Sequence, residues 1–412
     1  MLRDGLFNNQ STNFPITVKV VKSFIFCLFL LNCSASAQIN VGDSLALVDF
    51  YNSTKGKTWK KNSNWLKGRV SEWFGVWVTG NRVTQLNLIN NQVDGPLPPS
   101  MGNLTALTGL YLSNNNLHGT IPSSIGGLQN LNFIYLSTNK LNGNIPEEIG
   151  NISTLKALHL DHNNLTGEMP ESLRRLPILT ELVLSYNQLT GSIPASLGDL
   201  RVEKLDLSHN QLSGIIPNRL TIIRNLTELR LNNNLLTGQI PSGLAPKICY
   251  LFDLSSNKLT GSIPSDLTNN STIAHVNLSN NALTGKIPSL SGMPGLQSLE
   301  LDSNHLTGSI PSSFSNLNRL VRLNLMNNQL SGTIPGGLCS LPDLQFLQLS
   351  NNQFTFDGME CIGRTDNTSM FATYQYQNQK TLTLNQSNSI LSLTAGGNLA
   401  NNTYHLYKDS VL

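Results

Sequence analysis

The chain has 412 residues, of which only 12% are charged, and its formal net charge is +3. A chain with so little charge and no basic run lacks the electrostatic footprint of a protein that binds nucleic acid or anionic membranes. Length alone would suggest two or three globular domains. That estimate does not apply to a chain built of repeats, because a repeat array grows along one axis without needing a larger core.

Residues 1–37 carry the features of a secretory signal peptide. Two lysines precede the apolar residues 24–31, and residues 35–37 form an Ala-Ser-Ala cleavage site. The apolar run is too short to span a bilayer as a helix, so no transmembrane segment is predicted. Cys33 leaves a lipoprotein-type cleavage open, although Asn32 stands where such sites usually have Gly or Ala. We therefore expect a protein that is secreted, extracellular or held at a cell surface.

Residues 38–82 are predicted to form an N-terminal cap. Residues 43–51 have a helical pattern that begins with Asp43 or Ser44 as the N-cap. The apolar positions expected on one face of this helix are Leu45, Val48 and Tyr51. The four tryptophans of the chain follow as Trp59, Trp65, Trp73 and Trp77. Such a cluster can bind sugar, but its place before the first repeat favours a role in covering the open apolar end of a solenoid.

Between residues 83 and 356 the phrase Asn-x-Leu-x-Gly-x-Ile-Pro recurs with small variations every 23 or 24 residues, each time preceded by a Leu-x-Leu pair or a close variant. The last copy lacks the Gly and the Ile-Pro, as expected of a terminal capping repeat. Internal repeats of this length predict a solenoid, in which each turn buries its apolar stripe against the neighbouring turns. The first residues of the twelve copies are Asn91, Asn115, Asn139, Asn163, Asn187, Asn210, Asn234, Asn257, Asn281, Asn304, Asn328 and Asn352.

The residue types within one copy have a physical explanation. Leu110 and Leu112 are expected to point into the solenoid and Tyr111 outward, because side chains alternate along a strand. Asn115 is expected to point inward, where its amide can pair with backbone groups of the turn that would otherwise be buried without partners.

The phrase Leu-x-Gly-x-Ile-Pro resembles the 24-residue plant-type leucine-rich repeat over roughly residues 83–356. The resemblance implies an α/β repeat solenoid of about twelve repeats, a horseshoe with a parallel β-sheet on its concave face and a helical, tryptophan-rich N-terminal cap. Such repeats occur in extracellular domains of plant receptors and in secreted bacterial surface proteins. The plant caps usually carry a cysteine pair, which this cap lacks, and its absence favours kinship with the bacterial surface proteins.

Recognition is expected at the variable positions of the concave strands, because the regular positions build the scaffold. Adjacent strands lie about 4.8 Å apart, so equivalent side chains form continuous strips. Tyr111, Phe133, Tyr135 and His159 are predicted to form an aromatic patch, with Asp161 as a polar neighbour. Aromatic side chains with a polar group are favoured binding anchors, although β-propensity alone also places them on strands.

Catalysis and metal binding are not expected. His159 and Asp161 can pair, with Ser137 one strand away, but an open sheet supplies neither an oxyanion hole nor exclusion of water. His162 and His209 occupy equivalent places two strands apart, about 9.6 Å between backbones, which is wide for shared zinc ligands. No metal and no cofactor are therefore predicted.

The C-terminal part changes in character after the last repeat. Cys339 and Cys361 are expected about one layer of the solenoid apart, roughly 5 Å, which suits a disulfide in an exported protein, with a reduced pair as the alternative. Residues 357–380 are predicted to form a C-terminal cap and linker. Residues 381–412 alternate like strands but are fewer than a β-sandwich needs, which predicts an incomplete sandwich-like tail.

Taken together, the sequence indicates a secreted or cell-surface, non-enzymatic protein that binds a protein or peptide on the concave face. Charged residues between Glu181 and Asp253 alternate in sign and are interpreted as exposed ion pairs. Two alternatives remain open: a carbohydrate-binding or adhesion protein that uses the aromatic patch for a glycan, and a structural spacer for a missing C-terminal module.

Overall fold

The computed structural model describes residues 39–245, 248–355, 373–375, 384–387 and 390–393. Successive turns of the chain each add one short strand to a large sheet, in chain order. Side chains at equivalent positions stand next to one another because the register is constant: Tyr111 pairs with Tyr135, and Tyr135 pairs with His159. The predicted leucine-rich repeat solenoid and its parallel concave sheet are confirmed.

The large sheet has fourteen strands among the described residues. Its first two strands are antiparallel, and the later neighbours are parallel. In order across the sheet they are Val76–Thr79, Arg82–Asn87, Gly109–Tyr111, Phe133–Tyr135, Ala157–His159, Glu181–Val183, Lys204–Asp206, Glu228–Arg230, Leu251–Asp253, His275–Asn277, Ser298–Glu300, Arg322–Asn324, Phe346–Gln348 and Thr373–Gln375.

Short strands around the repeat glycines also stack in parallel, which the sequence reasoning did not predict. They form a five-stranded and a seven-stranded sheet, linked by a single bridge between Ser192 and Ser213. This weak junction coincides with a repeat of 23 residues, from Asn187 to Asn210. The strands are Asp94–Pro96, Asn116–Gly119, Lys140–Gly143, Asn164–Glu168 and Gln188–Thr190, then Ser213–Ile215, Leu235–Gln239, Lys258–Ser262, Ala282–Lys286, His305–Gly308, Gln329–Gly332 and Gln353–Phe354.

The opposite side of most turns is formed by 3-10 helices. A proline precedes each of those in the repeats, where its fixed φ suits the start of a helix and its missing N–H costs no hydrogen bond. The 3-10 helices are Gly56–Thr58, Val70–Glu72, Pro99–Asn103, Ser123–Gly127, Glu147–Asn151, Glu171–Arg175, Ala195–Asp199, Asn218–Ile222, Ser265–Asn269, Ser312–Asn316 and Gly336–Ser340.

The predicted asparagine ladder is confirmed. The Oδ1 atom of Asn115 accepts hydrogen bonds from the N–H groups of Asn91 and Val93, at 3.0 and 2.9 Å. Its Nδ2 atom donates to the carbonyl groups of Leu88 and Leu112, each at 2.8 Å. Because equivalent bonds recur in the later repeats, each asparagine ties its own turn to the preceding one.

The cap helix, α1, spans Val41–Ser53 and has Asn40 as its N-cap, so the predicted N-cap at Asp43 or Ser44 is wrong. Asp43 is buried instead, and its carboxylate accepts two hydrogen bonds from the Arg82 guanidinium at 2.9 and 3.0 Å. This contact fixes the rotation of the helix. The predicted apolar face is consequently wrong at Leu45, which is 55% exposed, and the buried apolar side chains are Ala46, Leu47, Phe50 and Tyr51.

Three of the four tryptophans close the N-terminal end of the solenoid, as predicted. Trp59, Trp65 and Trp73 are buried, and the Trp59–Trp65 and Trp65–Trp73 ring centroids are each 4.9 Å apart. Their indole N–H groups donate to backbone carbonyls, which satisfies the polar end of each ring. Trp77 is the exception, because it lies on the edge strand Val76–Thr79 and is 48% exposed.

The predicted Cys339–Cys361 disulfide lies outside the described residues, because Cys361 is not among them. The boundaries at 357–380 and 381–412 likewise stay predictions. The strand Thr373–Gln375 pairs with Phe346–Gln348, and Leu384–Ser387 forms an antiparallel pair with Ile390–Leu393. No helix in the described part of the chain is long and apolar enough to cross a membrane.

Candidate functional site

The structure brings together the four rings of the aromatic patch, namely Tyr111, Phe133, Tyr135 and His159. The centroid of the Tyr135 ring is 5.5 Å from that of Tyr111 and 4.6 Å from that of His159. The Phe133 centroid lies 6.3 Å from Tyr111 and 6.2 Å from Tyr135. These are ordinary distances for favourable aromatic pairs, so the rings form one continuous surface on three adjacent strands. The participation of these residues in binding stays a prediction.

Small residues beside the patch let its rings lie close to the sheet. Gly109 stands next to Phe133 across the strands, and a Cβ atom at Gly109 would lie only 2.7 Å from Cζ and Oη of Tyr111. Ala157, on the other side of Phe133, adds only a methyl group. Burial raises the pKa of both tyrosines above its ordinary value, and for Tyr135 a nearby carboxylate adds to the effect. The patch is therefore a half-buried platform.

A polar margin borders the patch on the next strands. The Nε2 atom of His159 lies 2.7 Å from Oε2 of Glu181, so His159 pairs with this residue rather than with Asp161. The Ser137 hydroxyl donates to Oδ1 of Asp161 at 2.6 Å, and Oδ2 of Asp161 lies 3.1 Å from Nδ1 of His162. Asp161, predicted as a polar neighbour of the patch, thus contacts Ser137 and His162, and its part in binding stays a prediction. The contacts do not form a serine–histidine–aspartate relay.

A second group of rings adjoins this margin, and the sequence reasoning missed it. The Tyr186 ring lies between His162 and His209, with centroid distances of 4.2 and 3.9 Å and interplanar angles of 19° and 12°. We call His162, Tyr186 and His209 the ring stack. The sequence does contain a signal for this stack: the residue just before the ladder asparagine is His, Tyr and His in three successive repeats. Because Tyr186 fills the space between them, the two imidazoles do not face one common ion.

The charged residues beyond the patch form a partly buried network, so their interpretation as exposed ion pairs is only partly right. Glu228 Oε2 is 3.4 Å from Lys204 Nζ and 3.7 Å from an Arg230 nitrogen. Arg230 also lies 3.7 Å from Asp206, whose side chain is 8% exposed. Removal of Arg230 would take this counter-charge from the buried Asp206 and leave Glu228 with Lys204 alone, which makes this region structural as well as polar.

The described residues contain no group of three or more His, Cys, Asp or Glu side chains that could hold a metal ion. Cys249 is a free, buried thiol, and burial raises its pKa to about 12. A thiol with so high a pKa is protonated at neutral pH and is a poor nucleophile. What the concave face offers is a surface of aromatic rings bordered by carboxylate and imidazole groups.

Stacked turns of 23 or 24 residues, a ladder of inward asparagines and a concave parallel sheet define a leucine-rich repeat protein. Family models agree: one leucine-rich repeat model matches residues 153–212 and 294–354, and a second matches 106–128, 130–152, 225–246 and 250–270. The chain belongs to the leucine-rich repeat family. A comparison with curated proteins gave no match.

Solved structures with the same fold include two receptors. A plant peptide hormone receptor, RGFR1 in complex with RGF2, is 33% identical, with a TM-score of 0.68 over 73% of this chain and 47% of the receptor. A TDR receptor is 35% identical, with a TM-score of 0.68 over 71% of this chain and 51% of the receptor. This chain thus spans about half the length of either receptor.

A bacterial structure is also similar. A leucine-rich repeat protein of Leptospira interrogans is 30% identical, with a TM-score of 0.56 over 69% of this chain and 70% of that protein. The comparisons therefore support leucine-rich repeats in general and do not support a particular kinship with bacterial surface proteins.

Proposed function

We propose that this protein is a non-enzymatic binding protein that holds a peptide, or an extended segment of a protein, on its concave face. The observation that carries the proposal is the aromatic patch: three rings in mutual contact and a fourth, His159, in contact with Tyr135, on adjacent strands outside the core. Large rings held on a rigid scaffold lose little conformational entropy on binding, and such residues dominate the energetics of many interfaces.

The similar structures support the same function. RGFR1, whose structure was determined with RGF2 bound, is a peptide hormone receptor with the same fold. An extended peptide suits a curved sheet, because strips of side chains run across many repeats and can contact successive residues of a ligand. A glycan partner finds no such support among these structures.

We also infer that the protein acts outside the cytoplasm, in secreted form or at the cell surface. The basis is the charged, apolar and small-residue pattern of residues 1–37, which lie outside the described part of the chain. Fractionation of cells that express the full chain tests this point. Retention of the uncleaved chain in the cytoplasm would contradict it.

The binding proposal is tested by selecting a random peptide library, displayed on phage, against the purified protein. The affinity of a selected peptide is then measured with wild type, Tyr135→Ala and Gln348→Ala. Tyr135 lies at the centre of the patch, and Gln348 occupies the equivalent place in the last repeat. Tyr135→Ala should weaken binding by about 2 kcal/mol or more, and Gln348→Ala should have little effect.

Gln348→Ala is a better control than a substitution in the charged network, because Arg230→Ala would disturb Asp206 and Glu228 as well as any ligand. Selection of no peptide above background would favour the structural spacer. Capture on a glycan array that depends on Tyr135 would favour the carbohydrate-binding alternative.

A further inference from the structure

The residues of the ring stack have a left-handed backbone conformation, which histidine adopts readily and a bulky residue such as tyrosine does not. His162, Tyr186 and His209 have φ angles of 54°, 53° and 52°, in the left-handed region. Small polar residues are found in this conformation more easily than a bulky aromatic one. The equivalent positions in the other repeats are Asn90, Asn114, Thr138, Asn233, Ser256, Asn280, Ser303, Asn327 and Asn351.

Tyr186 is therefore a strained choice, and it gains little from burial because it is 45% exposed. A strained residue that adds little to the core is a reason to look for a function at that place. The two histidines on either side hold its ring by stacking. The contact of Asp161 with His162 joins the stack to the margin of the aromatic patch.

The stack has an end where a ligand can continue it. The position equivalent to His162 in the preceding repeat is Thr138, an exposed residue with a short side chain. A planar group placed above Thr138 would cover the outer face of the His162 ring. It would lie beside Asp161, whose two oxygens contact Ser137 and His162 and retain further lone pairs for a donor.

The concave strand positions at this end of the sheet carry charge of one sign, whereas the adjoining turn contains the exposed Lys140. The concave positions of the first five repeats contain two carboxylates, those of Asp161 and Glu181, and no lysine or arginine. A ligand group with positive charge is therefore complementary to this end of the sheet. These positions are Gln85, Asn87, Ile89, Gly109, Tyr111, Ser113, Phe133, Tyr135, Ser137, Ala157, His159, Asp161, Glu181, Val183 and Ser185.

We propose that the peptide bound by this protein carries an arginine, whose guanidinium stacks on His162 and pairs with Asp161. Arginine combines the two required properties, a flat face and a fork of donors that matches a carboxylate, whereas lysine has only the charge. An apolar or aromatic residue near this arginine in the ligand would lie on the aromatic patch. The inference rests on the proposed peptide-binding function and specifies its ligand.

The test uses the same phage-displayed random peptide library, selected in parallel against wild type, Asp161→Asn, His162→Thr and Glu147→Gln. Glu147→Gln is the charge-matched control, because Glu147 is exposed on a 3-10 helix away from the concave strands. Wild type and Glu147→Gln should enrich peptides with an arginine close to an aromatic residue. Asp161→Asn and His162→Thr should lose the enrichment for arginine. Circular dichroism checks that each variant is folded, and His162→Asn replaces His162→Thr if needed.

A selected peptide is then made with its arginine replaced by citrulline, which keeps the planar shape without the charge, or by lysine. On wild type, either change should raise Kd by about tenfold or more. On Asp161→Asn, citrulline and arginine should bind within about twofold of each other. A lysine peptide that binds wild type as well as the arginine peptide would overturn the stacking contact.

The outcomes separate this inference from the proposed function. Peptides selected without enrichment for arginine, and still dependent on Tyr135, would overturn the arginine site and leave peptide binding intact. Failure to select any peptide above background would overturn both. Equal enrichment for arginine on wild type and Asp161→Asn would also overturn the site.

Discussion

The Tyr111 side chain lies across the position that a side chain of Gly109 would occupy. A Cβ atom at Gly109 would be 2.7 Å from Cζ and Oη of Tyr111, which is closer than Cβ contacts allow. The two residues lie on the same strand, Gly109–Tyr111, two positions apart and on the same face. The glycine is thus a condition for the flat placement of the ring, and through it for the shape of the aromatic patch.

Gly109→Val should therefore turn the Tyr111 ring away from the sheet. Burial now raises the pKa of Tyr111, so release of the ring into water should lower that pKa toward its ordinary value. An ultraviolet absorbance titration of tyrosine ionisation measures the change. Ser298→Val, at the equivalent position of a distant repeat, is the control and should leave the titration unaltered. An unchanged titration in Gly109→Val would mean that the ring tolerates the larger neighbour.

Leu207→Ala should destabilise the solenoid by about 2–5 kcal/mol, the usual loss when a large core side chain is truncated. Leu207 is fully buried in the sixth repeat, whereas the Tyr111 ring is half-buried on the concave face. Tyr111→Ala should consequently cost far less. Denaturant unfolding of both variants provides the comparison, and equal losses would contradict the assignment of inward and outward positions.

The scaffold was predictable because its contacts repeat. The position of Asn115 and the alternation of Leu110, Tyr111 and Leu112 follow from the period, and all four are oriented as expected. The aromatic patch was predictable from the same alternation, because outward side chains at equivalent positions of neighbouring repeats are adjacent on the sheet. Its rings are indeed in contact, although nothing yet tests them as a binding site.

The features that were missed depend on single long-range contacts. The rotation of α1 is set by Asp43 with Arg82, a pair separated by 39 residues that no periodicity reveals. The ring stack was missed because Tyr186 lies in the turn just after a strand, outside the concave strips, at a position where the repeats beyond the stack carry Asn, Ser or Thr. The second set of parallel strands was missed because each is short and centred on a glycine, a residue that normally weakens a strand.

Asp43→Ala should destabilise the N-terminal cap by about 3 kcal/mol, since it leaves the partly buried Arg82 guanidinium without its counter-ion and the Val83 N–H without its acceptor. Lys55→Met, which breaks the exposed pair between Lys55 and Asp94, should cost less than about 1 kcal/mol. Chemical denaturation monitored by tryptophan fluorescence reports on this end of the molecule, because the tryptophans are in the cap. Similar losses for the two variants would mean that the Asp43–Arg82 pair is no stronger than a surface pair.

Asp253→Asn should stabilise the protein at neutral pH and have no such effect in acid. Burial raises the pKa of Asp253 above its ordinary value, against the lowering effect of its hydrogen bonds with Ser255 and of nearby Arg230. A carboxyl whose pKa is higher in the folded state opposes folding when it is ionised. Its unfavourable contribution is therefore present at neutral pH and disappears as pH falls through the folded pKa toward the ordinary one.

The asparagine side chain keeps an oxygen that can accept the hydrogen bonds from Ser255 N–H and Oγ, now at 3.0 and 2.7 Å, but it carries no charge. The free energy of unfolding of wild type and Asp253→Asn, measured in denaturant at neutral pH and again below the ordinary pKa of aspartate, gives the comparison. The variant should be the more stable at neutral pH, and the difference should vanish in acid. A variant less stable than wild type at neutral pH would show instead that the attraction between Asp253 and Arg230 outweighs the cost of burial.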